Sequence, residues 1–189
     1  NAVVLAEAAV FNLFFADMPF LWQAYLVYPL IISLPTLVFI FGLTFLLMVI
    51  LRNQAMVFVI LLGYIASVMF FLQDNAYRLF DYTAFRLPLA WSDFTGLGDI
   101  STVLMQRGFY LLAGIGMTLA TALLLRRLPQ TPVVSLLCAA GAVLSLGGAL
   151  ALAQRYTGSF ERGIALRAEM LVLNEKYGGL PGISVRDER

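Results

Sequence analysis

Hydrophobic residues in this chain come in long blocks, not in alternation and not on one side of a helix. Four nearly uncharged blocks run at 28–51, 55–72, 108–125 and 133–153. A bilayer core takes about 20 apolar residues per helical crossing; two blocks meet that length and two fall slightly short. Backbone groups in lipid must be satisfied within their own segment, so each block predicts a helix. The expected fold class is all-α integral membrane. It has four transmembrane helices, an interfacial helical loop between the second and third, and a short soluble helical tail.

The polar breaks between the blocks organise the rest. Residues 1–23 are apolar but interrupted by Glu7, Asp17 and Pro19. They read as an interfacial helix or the end of a preceding span, with Phe20 and Trp22 suited to the headgroup level. Pro35 in the first block should kink its helix unless the helix starts there. Arg52-Asn53-Gln54 is so short a turn that the first two helices must be antiparallel neighbours. Residues 73–107 are wet at Gln73-Asp74-Asn75, then aromatic from Leu79 to Trp91, with Pro88, Gly96 and Gly98 interrupting. That texture suits short interfacial helices.

Small residues recur every fourth position in the last two blocks. Gly116 and Ala120 lie in the third; Gly141, Ser145, Ala149 and Ala153 lie in the fourth. They predict a seam where helices pack closely. After Gln154 apolar residues take helical spacing at Phe160, Ile164 and Leu171. Ser159 is a candidate cap for that tail helix, Gly178-Gly179 a candidate end, and Ile183 and Val185 alternate like the opening of a strand. Residues 154–189 therefore read as the start of a soluble domain, and the chain as a piece of something longer.

Composition agrees with the block pattern and narrows the chemistry. The chain is 61% hydrophobic with mean hydropathy +0.90 and carries 12% charged residues, where a soluble domain carries about 25%. Residues 1–153 hold six basic and six acidic side chains; residues 154–189 hold six and five. No basic patch with interleaved aromatics appears, so nucleic acid is set aside as a partner. The absence of histidine excludes a paired-histidine zinc helix and a serine–histidine triad. The single lysine, Lys176, sits outside any glycine-rich phosphate loop. Cys138, the one cysteine, reads as a small buried packing residue. No cofactor or metal motif is found. The blocks contain no ionisable pair near mid-depth, so an intramembrane enzyme has little support.

Charge does not choose an orientation. Arg52, Arg126 and Arg127 crowd the two short turns, while Arg78, Arg86, Arg107, Arg155, Arg162 and Arg167 lie in the loop and near tail. Density and raw count point to opposite sides under the positive-inside rule.

Several runs resemble the permease of a bacterial ABC-2 type exporter. They are 28–40 (YPLIISLPTLVFI), 51–55 (LRNQA), 62–65 (LGYI), 79–89 (LFDYTAFRLPL), Ser92-Asp93-Phe94, Gly96-Leu97-Gly98, Arg107-Gly108-Phe109-Tyr110 and Leu128-Pro129-Gln130. The likeness extends from about Trp22 to Val185. It is nearest to the large permeases with an extra span and an extracytoplasmic domain, some fused to an aminopeptidase-like domain. The resemblance implies a non-enzymatic segment of the bacterial inner membrane. Its first three spans here would be the last three of a six-span half. The 73–107 loop and the tail would then be extracytoplasmic. The implied partners are a separate ABC ATPase subunit, a second permease half and the lipid bilayer. The implied mechanism is alternating access driven by ATP hydrolysis in the partner; the competing expectation is an anchor for the outer domain without transport of its own.

Five charged residues in or beside the loop stand out: Asp81, Arg86, Asp93, Asp99 and Arg107. They read either as interfacial pairs that steady the loop or as an exit gate whose ion pairs break as substrate leaves. Arg52 reads as a headgroup anchor for a helix end or as an ATPase contact.

Overall fold

The computed structural model describes residues 2–15, 25, 29–72, 75–85, 87, 91–92, 96–97, 99–125 and 131–177. Helix α1 (Ala2–Phe15) leads, and its Asn12 Nδ2 donates to the Tyr25 hydroxyl at 3.1 Å. Its 14 residues rise only about 21 Å. Residues 16–24, including Phe20 and Trp22, lie outside the described residues.

Helix α2 (Leu34–Leu51) follows a single π-helical turn, Pro29–Ser33. Pro35 stands in its first turn, directly after the π-helical turn, so the bond it cannot make is lost at that junction and not in the interior of α2. The turn after α2 is built from two local devices. Arg52 takes a left-handed conformation (φ 51°) and its N–H donates back to Met48 O at 3.0 Å. Asn53 is extended, and its Oδ1 accepts from Ala55 N at 3.0 Å and Met56 N at 3.3 Å, capping helix α3 (Gln54–Ser67). A π-helical turn, Val68–Leu72, prolongs α3.

The next helix differs from expectation at its start. Helix α4 (Ile100–Leu124) begins eight residues before the apolar block does. Asp99 is the reason: its carboxylate accepts from Thr102 N at 3.2 Å and from the Thr102 hydroxyl, a cap that holds the first turn. Arg107 therefore sits in a helix and not in a loop. Among its described residues, the segment before it is less helical than the aromatic texture predicts. It holds a 3₁₀ turn (Asn75–Arg78), a chain of turns to Phe85, and a two-residue antiparallel ladder of β1 (Trp91–Ser92) with β2 (Gly96–Leu97).

The tail differs too. Helix α5 (Pro132–Tyr177) is one element of 46 residues, so the expected separate tail helix is a continuation of the fourth block. Ser159 starts nothing; its hydroxyl donates to Tyr156 O at 2.7 Å inside the helix. The turn at Arg126-Arg127, the glycines 178–179 and the alternation at 183–185 lie outside the described residues.

Among the described residues four helical stretches are long and apolar enough to cross a membrane: Pro29–Leu51, Gln54–Leu72, Ile100–Leu124 and Pro132–Lys176. Helix α4 is central, packing on α2 along one side and on α5 along another, while α3 touches α2 lightly. The α2–α4 crossing is backbone to backbone. A Cβ on Gly42 would fall on the Gly114 carbonyl, and one on Gly114 would come 2.6 Å from Val38 C and O. Between α4 and α5 a Cβ on Gly116 would meet Leu146 Cγ at 2.6 Å and Ser145 Oγ at 2.9 Å. Gly141 faces Leu119, Ser145 and Ala149 are buried, and Ala120 and Ala153 are half-buried, so the small-residue seam is used within the chain. Cys138, expected to be buried, is half-buried.

Polarity runs inside out. Phe70, Phe71, Leu136, Val143 and Leu144 are each at least 70% exposed, whereas Asp81, Gln106 and Arg107 are at most 2% exposed. Water-soluble domains do the reverse. The apolar part of the interior is small and aromatic: Phe39 meets Tyr110 edge-on at 4.9 Å, and Tyr82 and Tyr64 lie 5.8 Å apart beside it.

Candidate functional site

Among the described residues the buried hydroxyls of Thr121 and Ser145 bond within their own helices, while the buried Asp81, Gln106 and Arg107 collect elsewhere, at one end of the bundle around residues 77–82. Helix periodicity brings them there. Val103, Gln106, Arg107, Tyr110, Ala113 and Gly114 repeat at three- and four-residue steps and form one buried face of α4. Its upper half carries three long polar side chains; its lower half is small and receives α2.

Backbone conformation supplies their partners. Tyr77 and Arg78 both adopt left-handed angles (φ 56° and 68°), as does Ala84 (φ 63°). Non-glycine residues are uncommon there, and such strain persists only where the surroundings hold it. Here it turns a row of carbonyls toward the helices. Tyr156 on α5 donates its hydroxyl to Tyr77 O at 2.9 Å. Gln106 Nε2 donates to Arg78 O at 2.6 Å, and the Tyr110 hydroxyl to Leu79 O at 2.7 Å. Arg107 donates from one terminal nitrogen to Asp81 O at 2.8 Å and from the other to Tyr82 O at 2.9 Å. Thr36 on α2 donates to Tyr82 O at 2.8 Å and accepts from Arg107 at 3.2 Å. The remaining carbonyl, Phe80 O, accepts from Tyr82 N at 2.9 Å. Every carbonyl from 77 to 82 is thus paired, as buried backbone requires.

Charge is handled in the same small volume. The Arg107 guanidinium also donates to Gln106 Oε1 at 3.1 Å and lies 5.2 Å from the centre of the Tyr110 ring. The Asp81 carboxylate is 1% exposed, accepts from the Thr83 hydroxyl at 2.7 Å, and its charge acts on Arg107. Burial, and then the Asp81 charge, pushes the Tyr82 phenol above its ordinary pKa, so that ring stays neutral well past physiological pH.

Of the five charged candidates, the structure brings Asp81 and Arg107 together. It assigns Asp99 to the cap of α4, about two helical turns before Arg107. Arg86 and Asp93 lie outside the described residues. Arg52 is at the opposite end of α2, exposed, with its backbone ending the helix. Sequence reasoning missed Thr36, Gln106, Tyr110 and Tyr156. The three-residue set Gln106, Arg107, Tyr110, one helical turn of polar side chains above an apolar block, was the available signal. Nothing in the order of residues marked the carbonyls. Among the described residues no group of three or more acidic, cysteine or histidine side chains could hold a metal ion.

No family model matches this chain, and neither a curated protein nor a solved structure is detectably similar to it.

Proposed function

We propose that the chain is a membrane-embedded permease segment of an ATP-driven exporter of the ABC-2 type, forming part of a pathway that opens alternately to the two sides. The observation that carries this reading is the sealed polar row at one end of an apolar-surfaced bundle. A conduit needs an outer end that excludes water at rest and is built from groups able to exchange partners. Carbonyls held by side chains of three different helices meet that need; a purely apolar plug would not. The motif likeness from Tyr28 to Gln130 points the same way.

In this reading the helices cross the bacterial inner membrane. The row and the outer half of α5 face the extracytoplasmic side, and Arg52 faces the cytoplasm within reach of a separate ABC ATPase subunit. A second permease half covers part of the exposed apolar surface, and lipid covers the rest. Hydrolysis belongs to the partner.

The test is export by the full transporter in vesicles, with ATPase activity measured in parallel. Arg107→Ala is expected to abolish most export while ATPase activity persists. Asp81→Asn, Arg86→Gln and Asp93→Asn sort gate from scaffold. Unchanged export in all four variants at normal protein levels removes the gate.

A second reading, an anchor for an extracytoplasmic domain without transport of its own, is favoured by the length of α5. Residues 161–176 of that helix are exposed on every side, as a stalk would be. Vesicles containing chain and ATPase but showing no ATP-dependent export of any tested lipid, peptide or drug class favour the anchor.

A further inference from the structure

Among the described residues, the outer part of α5 meets the loop through Tyr156 and Phe160, and both end on Tyr77. Tyr156, 1% exposed, donates to Tyr77 O. One turn later the Phe160 ring lies parallel to the Tyr77 ring, 5.4 Å between centres at 6°. From Glu161 to Lys176 the helix is exposed on all faces, a rise of about 24 Å. Between it and the start of α4 is an open wedge of about 450 Å³, lined by Asp99, Thr102, Phe160, Gly163, Ile164 and Arg167. The outer helix is therefore a lever. It has room to move on the α4 side, and a fixed point at Tyr156 and Phe160.

That fixed point is shared. Tyr77, Arg78, Leu79, Asp81 and Tyr82 are consecutive or nearly so, and their carbonyls are held in turn by α5, α4 and α2. Helix α2 packs on α4 and has at most marginal contact with α5. We infer that the row 77–82 is a coupling joint, through which the aim of the outer half of α5 and the positions of α2 and α4 constrain one another. Displacing the lever drags Tyr77. The left-handed pair Tyr77–Arg78 cannot absorb the shift by ordinary torsional drift, because few neighbouring conformations are open to it. The displacement passes along the row to Arg107 and Thr36. Coupling of this kind is reciprocal, so loosening the α2 end must loosen the lever. The inference uses no property of a transporter and stands whether or not the chain exports anything.

The experiment measures distances by electron spin resonance in the purified full chain, in nanodiscs. Labels are placed at Phe41→Cys on α2 and Met170→Cys on the lever, in a Cys138→Ser background. Thr36→Val removes the α2 hydroxyl from Tyr82 O, far from the lever. It is expected to broaden the distance distribution about as much as Tyr156→Phe does, and the double variant to add little. Thr44→Val is the control: its hydroxyl donates to Ile40 O within α2, two turns along that helix from Thr36. An unchanged distribution in Thr36→Val overturns the joint. So does an equal broadening in Thr44→Val, which would mark general loosening. If Tyr156→Phe fails to fold, the comparison of Thr36→Val with Thr44→Val decides alone.

Discussion

Arg107 is charged, 2% exposed and inside an apolar helix. An ion in that position is tolerated only if it is well engaged; both terminal nitrogens of Arg107 are, while its buried Nε has no hydrogen-bond partner among the described residues. The guanidinium is engaged mainly by main-chain oxygens, which makes the site insensitive to which side chains the loop carries and sensitive to the loop's path. Hydrogen bonds to a charged group contribute about 1.5–3 kcal/mol each. Arg107→Ala should therefore lower stability by at least about 3 kcal/mol, read as a fall in the thermal midpoint in detergent. Arg107→Lys should recover only part of it, because an ammonium cannot reproduce the planar fork that reaches Asp81 O and Tyr82 O together. Tyr110→Phe removes one neutral bond to Leu79 O and should cost about 1 kcal/mol. If Tyr110→Phe proves as damaging as Arg107→Ala, the guanidinium is not the centre of the site.

Among elements, the central helix α4 decides the architecture, and two glycines with different neighbours, one on α4 and one on α5, test how. Gly114 lies against the α2 backbone, and Gly147 on α5 has nothing within 4 Å of where a Cβ would stand. Gly114→Ala should destabilise by about 1–3 kcal/mol, since neither backbone can yield. Gly147→Ala should be neutral or stabilise by up to about 1 kcal/mol, because a helical interior disfavours glycine. A melting series of the two variants checks both signs. The α2–α3 turn belongs to this scale as well. Asn53→Ala removes the acceptor for Ala55 and Met56 and should cost about 1 kcal/mol in the same assay.

Legibility divides along the same line between side chain and backbone. The apolar blocks located α2, α3 and the inner half of α5 because length and absence of charge are direct statements about a helix in lipid. The short turn at Arg52 is readable because only three polar residues separate two apolar blocks, although the cap that Asn53 supplies is not part of that reading. The start of α4 was not read, although Asp99 before Ile100, with Thr102 in its first turn, is the same kind of signal. Block reasoning puts the boundary where charge ends, at Gly108, and so assigns Arg107 to the loop, whereas the helix starts at Ile100. The small-residue seam was legible down to Gly116 and Ser145. The row could not be anticipated: carbonyls carry no letter in a sequence, and the left-handed turns at Tyr77 and Arg78 occur without a glycine to announce them. The unbroken α5 was hidden by Gly158-Ser159 and Gly163, which interrupt a pattern more than they interrupt a helix whose neighbouring turns are intact.

For the whole molecule, the arrangement of four proposed crossings has a sidedness that can be measured. Cysteines replacing Phe85 and Met170, both strongly exposed, should react with a membrane-impermeant maleimide from one face of a sealed vesicle. A cysteine replacing Arg52 should react from the other. Reaction of positions 52 and 85 from one face would refute the four-crossing arrangement. The carbonyl row also sets an order of events during synthesis. The ribosome makes residues 77–82 before it makes Gln106, Arg107 and Tyr110, and Tyr156 comes last. Until then the nascent loop has oxygens to satisfy and only Thr36 among its eventual helix-borne donors. A polypeptide stopped short of α4 is thus marked as unfinished by its own backbone, and quality-control proteases meet an open loop where the mature protein offers a closed one.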